Sequence, residues 1–234
     1  GFSDKYYNQA ISGEVAATDS YLEDYGYIKD GTSSVSMIDS GSSATFNLDF
    51  SDGKHSIEFY ALDSSKNRKD TTIKTIFDRQ DPVLNLSGLT DIFYNQQIYG
   101  QLEATDKYLM NYGYQINSNE KVTLIDSGNV ASFNFDLPDG EHSIAFYAKD
   151  SAKNNTDTTI TAIFDRQVPI LNVQGIDDRY YSQKIEGEIE VNEKYLKDFG
   201  YQIDERDFIS LIDSGNVALL SFNLQEGSHQ IEFY

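Results

Sequence analysis

Carboxylates and carboxamides at fixed spacing are the residues best equipped for chemistry in this chain. Asp63 and Asn67 lie four apart, as do Asp150 and Asn154. Asp78 and Asp81 precede Pro82, Asp165 precedes Pro169, and Asp19, Asp106 and Glu193 share one phase. Oxygen donors of this kind suit a hard divalent cation, and calcium takes about six to eight oxygens from carboxylates, amides and carbonyls. The competing reading is local: each Asp/Asn pair closes a hairpin as an Asx turn. His55, His142 and His229 resemble a metal set, but they fall one per repeat and cannot converge on one ion. They are expected at packed or solvent-edge strand positions instead.

Other motifs are weaker. Tyr25, Tyr27, Tyr112, Tyr114 and Tyr201 flank a recurring glycine. Core and sheet packing is the expected role, and an aromatic platform for sugars is the alternative. Asn85-Leu86-Ser87 and Asn154-Asn155-Thr156 fit the N-glycosylation sequon. There is no glycine-rich phosphate loop, His-x-x-x-His pair or Gly-x-Ser-x-Gly elbow. Carboxylates repeated in every unit point to architecture rather than one catalytic cleft, so no enzyme is expected.

The overall charge narrows the partners. Asp and Glu number 38 against 18 Lys and Arg, a net charge of −20. Nucleic-acid binding needs a basic surface, and no basic cluster stands out along the sequence. Anionic membranes are disfavoured for the same reason, and no apolar run approaches the ~18 residues of a membrane span. The absence of cysteine removes disulfides, thiolate metal sites and cysteine nucleophiles together.

The elements that must position these residues follow from a repeat of 87 residues. Tyr7-Asn8-Gln9 returns as Tyr94-Asn95-Gln96 and as Tyr181-Ser182-Gln183. Asp39-Ser40-Gly41 returns as Asp126-Ser127-Gly128 and Asp213-Ser214-Gly215. A unit of this length is a small domain with its own core rather than a solenoid repeat. The expected boundaries are 1–80, 81–167 and 168–234, the first unit without its first strand and the third without its last. With Gly1-Phe2-Ser3 at its start, the chain reads as a processed or excised piece.

Within the middle unit, period-2 alternation separated by turn residues predicts strands near 82–86, 97–104, 112–116, 121–125, 131–137, 142–148 and 158–164. Pro138-Asp139-Gly140 is a turn: proline presets φ and glycine accepts positive φ. Tyr108-Leu109-Met110-Asn111 reads as one helical turn. About seven short strands per complete repeat make the fold all-β, a tandem of immunoglobulin-like antiparallel β-sandwiches.

The stretch from Asp139-Gly140-Glu141-His142 through Asp150-Ser151-Ala152-Lys153-Asn154 resembles the late-strand-and-turn signature of bacterial-type immunoglobulin-like repeats of large surface adhesins. Asp165-Arg166-Gln167-Val168-Pro169 resembles their linker. The departure is Lys66 or Lys153 where the turn usually carries glycine. In an immunoglobulin topology the loops after the second and sixth strands lie at the pole where the chain enters. That would gather Asp106, Asp150 and Asn154 with Asp78 and Asp81 of the linker. Asp19, Asp63 and Asn67 are their counterparts in the first unit, and Asp165 and Glu193 mark the next junction. The resemblance implies calcium there, and a non-catalytic stalk outside the cell or at its surface. Its partners would be neighbouring repeats. The alternatives are a module binding a surface glycan or protein, and a filament subunit completed by a strand from a neighbouring chain.

Overall fold

A computed structural model describes residues 5–89, 92–125 and 128–234. Asp126 and Ser127 of the second Asp-Ser-Gly motif lie outside them. The chain divides into two compact units, Gly1–Asp165 and Arg166–Tyr234.

The first unit holds two sandwiches built alike. In one, a sheet runs in the order Tyr6–Tyr7, Arg68–Phe77, Gly53–Asp63, Leu22–Lys29 and Ser33–Ser36, facing the pair Ile11–Ala16 and Ser43–Leu48. In the other, Val122–Thr123, Leu109–Ile116, Gly140–Asp150, Asn155–Phe164 and Phe93–Tyr94 form one sheet, and Val130–Phe135, Ile98–Thr105 and Val83–Ser87 form the second. The pairings are antiparallel except for the two-residue strands Tyr6–Tyr7 and Phe93–Tyr94, which run parallel to the strands Arg68–Phe77 and Asn155–Phe164. The second unit pairs Ile170–Gln174, Ile185–Asn192 and Val217–Phe222 in one sheet and Ile209–Ser210, Gly200–Ile203 and Ile231–Phe233 in another.

Alternation decides which residues face inward. Val130–Phe135 alternates exposed and buried positions, so Ala131, Phe133 and Phe135 all enter the core. They meet Ile144, Phe146 and Ala148 from the opposing sheet, together with Leu102 and Tyr112. Phe133 and Phe135 stack at 4.7 Å, and Tyr114 meets Phe135 edge-on at 5.0 Å. The recurring Tyr-Gly-Tyr has a steric cause. A Cβ at Gly113 would stand 1.8 Å from the carbonyl oxygen of Val122, and one at Gly26 would stand 1.9 Å from that of Val35. Glycine lets the short neighbouring strand approach, while Tyr25 and Tyr112 are wholly buried. These two tyrosines are core residues, which removes them from any sugar platform.

Two local expectations need correction. Tyr108–Asn111 is no helical turn, because Leu109, Met110 and Asn111 belong to a strand with a bulge between Leu109 and Asn111. Extended, that backbone pairs along Gly140–Asp150, which an isolated helical turn with its unpaired end groups could not match. Of 121–125 only Val122–Thr123 is strand. Short helical turns span Ile38–Ser40 and Ile212–Ser214, overlapping the first and third Asp-Ser-Gly motifs.

Candidate metal centre

The site grows from a tight turn. The hairpin between Gly140–Asp150 and Asn155–Phe164 closes when Asp150 Oδ1 accepts the Asn154 backbone N–H at 2.8 Å and Oδ2 accepts the Asn154 carboxamide at 2.7 Å. The Asp150 N–H donates to the Asn154 carbonyl at 3.1 Å. Lys153 takes φ 78° to complete the turn, a left-handed conformation in which glycine would be unstrained. Asp150 is fully buried and Asn154 nearly so.

The linker from the first sandwich lies on this turn. The Asn154 carboxamide also donates to the carbonyl of Asp78 at 2.9 Å, and the Thr156 hydroxyl donates to that of Pro82 at 2.6 Å. Asp78 is held from the other side, its N–H donating to the Tyr7 carbonyl at 2.9 Å. Tyr6 meets the ring of Tyr108 edge-on at 5.2 Å. Asp106 sits in the loop after Ile98–Thr105, and its Oδ1 accepts the Tyr108 N–H at 2.6 Å.

Carboxylate oxygens of Asp78, Asp106 and Asp150 thus come within 4.8 Å of one another. Among the described residues this is the one such group of three. Asp78 is 6% exposed, its Oδ1 accepts the Gln80 N–H at 3.2 Å, and its buried Oδ2 has no hydrogen-bond partner. Burial pushes the Asp78 carboxyl up, the Gln80 contact partly offsets this, and the charges of Asp106, Asp150 and Asp52 push it further. An orphaned buried carboxylate oxygen aimed among like charges costs free energy unless a cation or proton neutralises it. Three carboxylates with spare lone pairs fit a hard oxygen-seeking ion.

The other expected ligands lie elsewhere. Asp81 is exposed in the linker. Asp63 and Asn67 repeat the turn with contacts of 2.7 Å, and the hydrogen bond from Asn67 holds the Asp63 carboxyl below its usual range. Asp19 accepts the Tyr21 N–H at 2.8 Å and is exposed. Glu193 makes the corresponding contact to the Tyr195 N–H at 3.1 Å. The N–H of Asp165 donates to the Tyr94 carbonyl at 2.9 Å, just as that of Asp78 does to Tyr7.

Of the sequon asparagines, Asn85 is exposed and donates to Glu103 at 3.2 Å. Asn154 cannot carry a glycan on the folded chain, because its carboxamide is buried and bonded to Asp78 and Asp150. The histidines bond within their own repeats: His55 to Asp30, His142 to Asn117 and His229 to Asp204.

No protein-family model and no curated protein matches the chain. Among solved structures it is similar to the fibronectin(III)-like modules of Clostridium thermocellum CbhA, at 12% identity and a TM-score of 0.42, over 68% of this chain and 87% of that one. It is similar to a structure from a 1.5-MDa bacterial ice-binding adhesin at 10% identity and a TM-score of 0.33, covering 94% and 82%. A tetra-tandem repeat from the extending region of a large adhesion protein gives 14% and 0.31, covering 97% and 62%. Scores this low do not carry a function across. The fold stands on the chain's own sheets: an all-β tandem of immunoglobulin-like sandwiches.

Proposed function

We propose that the chain is part of an extracellular or cell-surface array of repeats, a non-catalytic stalk whose successive sandwiches are tied together by calcium. The observation that supports this is the buried, unpartnered Oδ2 of Asp78 among the carboxylates of Asp106 and Asp150. Asp78 comes from the linker leaving one sandwich, Asp106 from a loop of the next, and Asp150 from the end of that sandwich's strand Gly140–Asp150. One ion shared by all three would fix the linker against the following domain and remove hinge freedom.

Calcium suits the site better than magnesium. Its longer bonds and flexible coordination accept an irregular mixture of carboxylates, carbonyls and waters, whereas magnesium demands a tight octahedron. Extracellular modules bind calcium with dissociation constants of about 10⁻⁴–10⁻³ M. At free calcium about ten times the dissociation constant, one site adds ~1.4 kcal/mol. That is modest for folding and sufficient to order a joint.

Small-angle scattering of the full chain with calcium and with chelator tests the stalk. The expected outcome is a narrower spread of particle dimensions in calcium. Identical profiles in both buffers would refute ion-stiffening and leave the carboxylates as turn formers and solubilising charge.

A further inference from the structure

A groove of about 400 Å³ on the first sandwich gathers cations in a chain that is otherwise strongly acidic. Its lining includes Lys5, Lys54 and Lys74 with Asp30, His55 and Ser56. The register pairs Lys54 with Ile76 and Ser56 with Lys74, so all four occupy one face of the sheet. The parallel strand Tyr6–Tyr7 brings in the third lysine, whose carbonyl accepts the Ile76 N–H at 2.8 Å. All three lysines are exposed.

The nearby carboxylates already have other partners. Asp30 is 2.8 Å from His55, Asp52 is 3.1 Å from Arg79, and Glu58 and Asp70 both pair with Arg68. None of the three lysines has an ion-pair partner among the described residues. Lysine on a sheet face can serve only to discourage aggregation. The fold, however, does not require lysine here. The equivalent positions of the second repeat are Ile92, Glu141 and Thr161, and those of the third include Arg179 and Ser228.

We infer that this groove binds an anionic saccharide, a carboxylated or sulfated polysaccharide chain. Three ammonium groups on flexible stems suit charges spaced along a polymer, whereas a single phosphate would be better met by an arginine fork. The volume falls in the range of ligand sites, about 300–1,000 Å³. Single-stranded nucleic acid is held by stacking of its bases on aromatic side chains as well as by charge, and no Tyr, Phe or Trp is among the residues lining the groove.

The test measures binding of polygalacturonate, dextran sulfate, neutral dextran and phosphatidylserine vesicles to the full chain, in chelator and in calcium. The variant Lys5→Ile/Lys54→Glu/Lys74→Thr carries the residues of the second repeat, which that sandwich accommodates. Saturable, salt-sensitive binding of a polyanion is expected, absent with neutral dextran and weakened about tenfold or more in the variant. A preference for polygalacturonate assigns carboxylate as the recognised group, and one for dextran sulfate assigns sulfate. Lys74→Thr alone is expected to lose a smaller share, and urea unfolding of each variant confirms that it folds. No polyanion binding, undiminished binding by the folded triple variant, or binding to vesicles alone would overturn the inference.

Discussion

The turns Asp63–Asn67 and Asp150–Asn154 share spacing, backbone closure and side-chain contacts, yet they sit in different surroundings. In the first, the side-chain contacts are both 2.7 Å and Asn67 is exposed. In the second they are 2.8 and 2.7 Å, but Asp150 is fully buried and the Asn154 carboxamide reaches the Asp78 carbonyl. The turn is a scaffold in both places. At Asp150–Asn154 the linker lies across the turn and brings Asp78 to the carboxylates of Asp106 and Asp150, and burial changes what these residues cost and what they can bind.

The sharpest way to break this comparison is to delete the asparagines. Asn154→Ala removes a buried carboxamide that joins Asp150 to the linker, and should cost about 2–3 kcal/mol in urea unfolding. Asn67→Ala, losing an exposed contact, should cost no more than ~1 kcal/mol. Equal losses would mean that the linker contact contributes nothing.

Asp78→Asn comes next. Removing a buried charge from between two others should stabilise the protein in chelator by about 1 kcal/mol and abolish its gain from calcium. Asp63→Asn should leave the calcium response intact.

The two turns also share a strained lysine. Lys66 has φ 70° and Lys153 φ 78°. Glycine at either should raise stability by up to ~1 kcal/mol, read as a higher thermal midpoint, because left-handed backbone penalises a Cβ. Similar gains at both would show that the strain belongs to the turn and is independent of burial.

The smallest effect lies in the histidines. In the third repeat, Nδ1 of His229 is 2.7 Å from Asp204 and Nε2 is 2.9 Å from the Gln225 carbonyl, so both ring nitrogens face acceptors and favour the imidazolium. The hydrogen bond to Asp204, helped by that to Gln225, raises the His229 pKa. The same bond from His229, with that of the Gln230 N–H, lowers the Asp204 pKa. The histidine contribution is therefore full below its unfolded pKa of about 6.5 and is lost as pH rises through the higher folded value. The aspartate contribution is present above its unfolded pKa and is lost as pH falls through the lower folded one. In the second repeat the neighbour of His142 Nδ1 is the Asn117 carboxamide nitrogen at 2.7 Å, in place of a carboxylate. Asp204→Asn should therefore flatten the decline in stability between pH 6 and 9 that the pair causes, measured by urea unfolding across that range.

Much of the fold was legible in the sequence because alternation and turn residues report directly on sheet faces. Phe133, Phe135, Ile144 and Phe146 declared their face by period alone. Phe93–Tyr94 was not legible, since two residues carry no period and their partners Ile163 and Phe164 lie far along the chain. Tyr108–Asn111 misled because short apolar runs fit either period. Asp78, Asp106, Asp150 and Asn154 could be named from spacing and the expected pole, but spacing could not separate buried Asp78 from exposed Asp81. The lysine groove escaped notice because its members are far apart in sequence, and only sheet register and a parallel strand unite them.

The most direct test of the junction is thermal unfolding of the wild-type chain and of Asp78→Asn across a calcium titration into the millimolar range. The account predicts a saturable rise in the wild-type midpoint and none in the variant. A rise of equal size in both, or in neither, would contradict a calcium site built on Asp78.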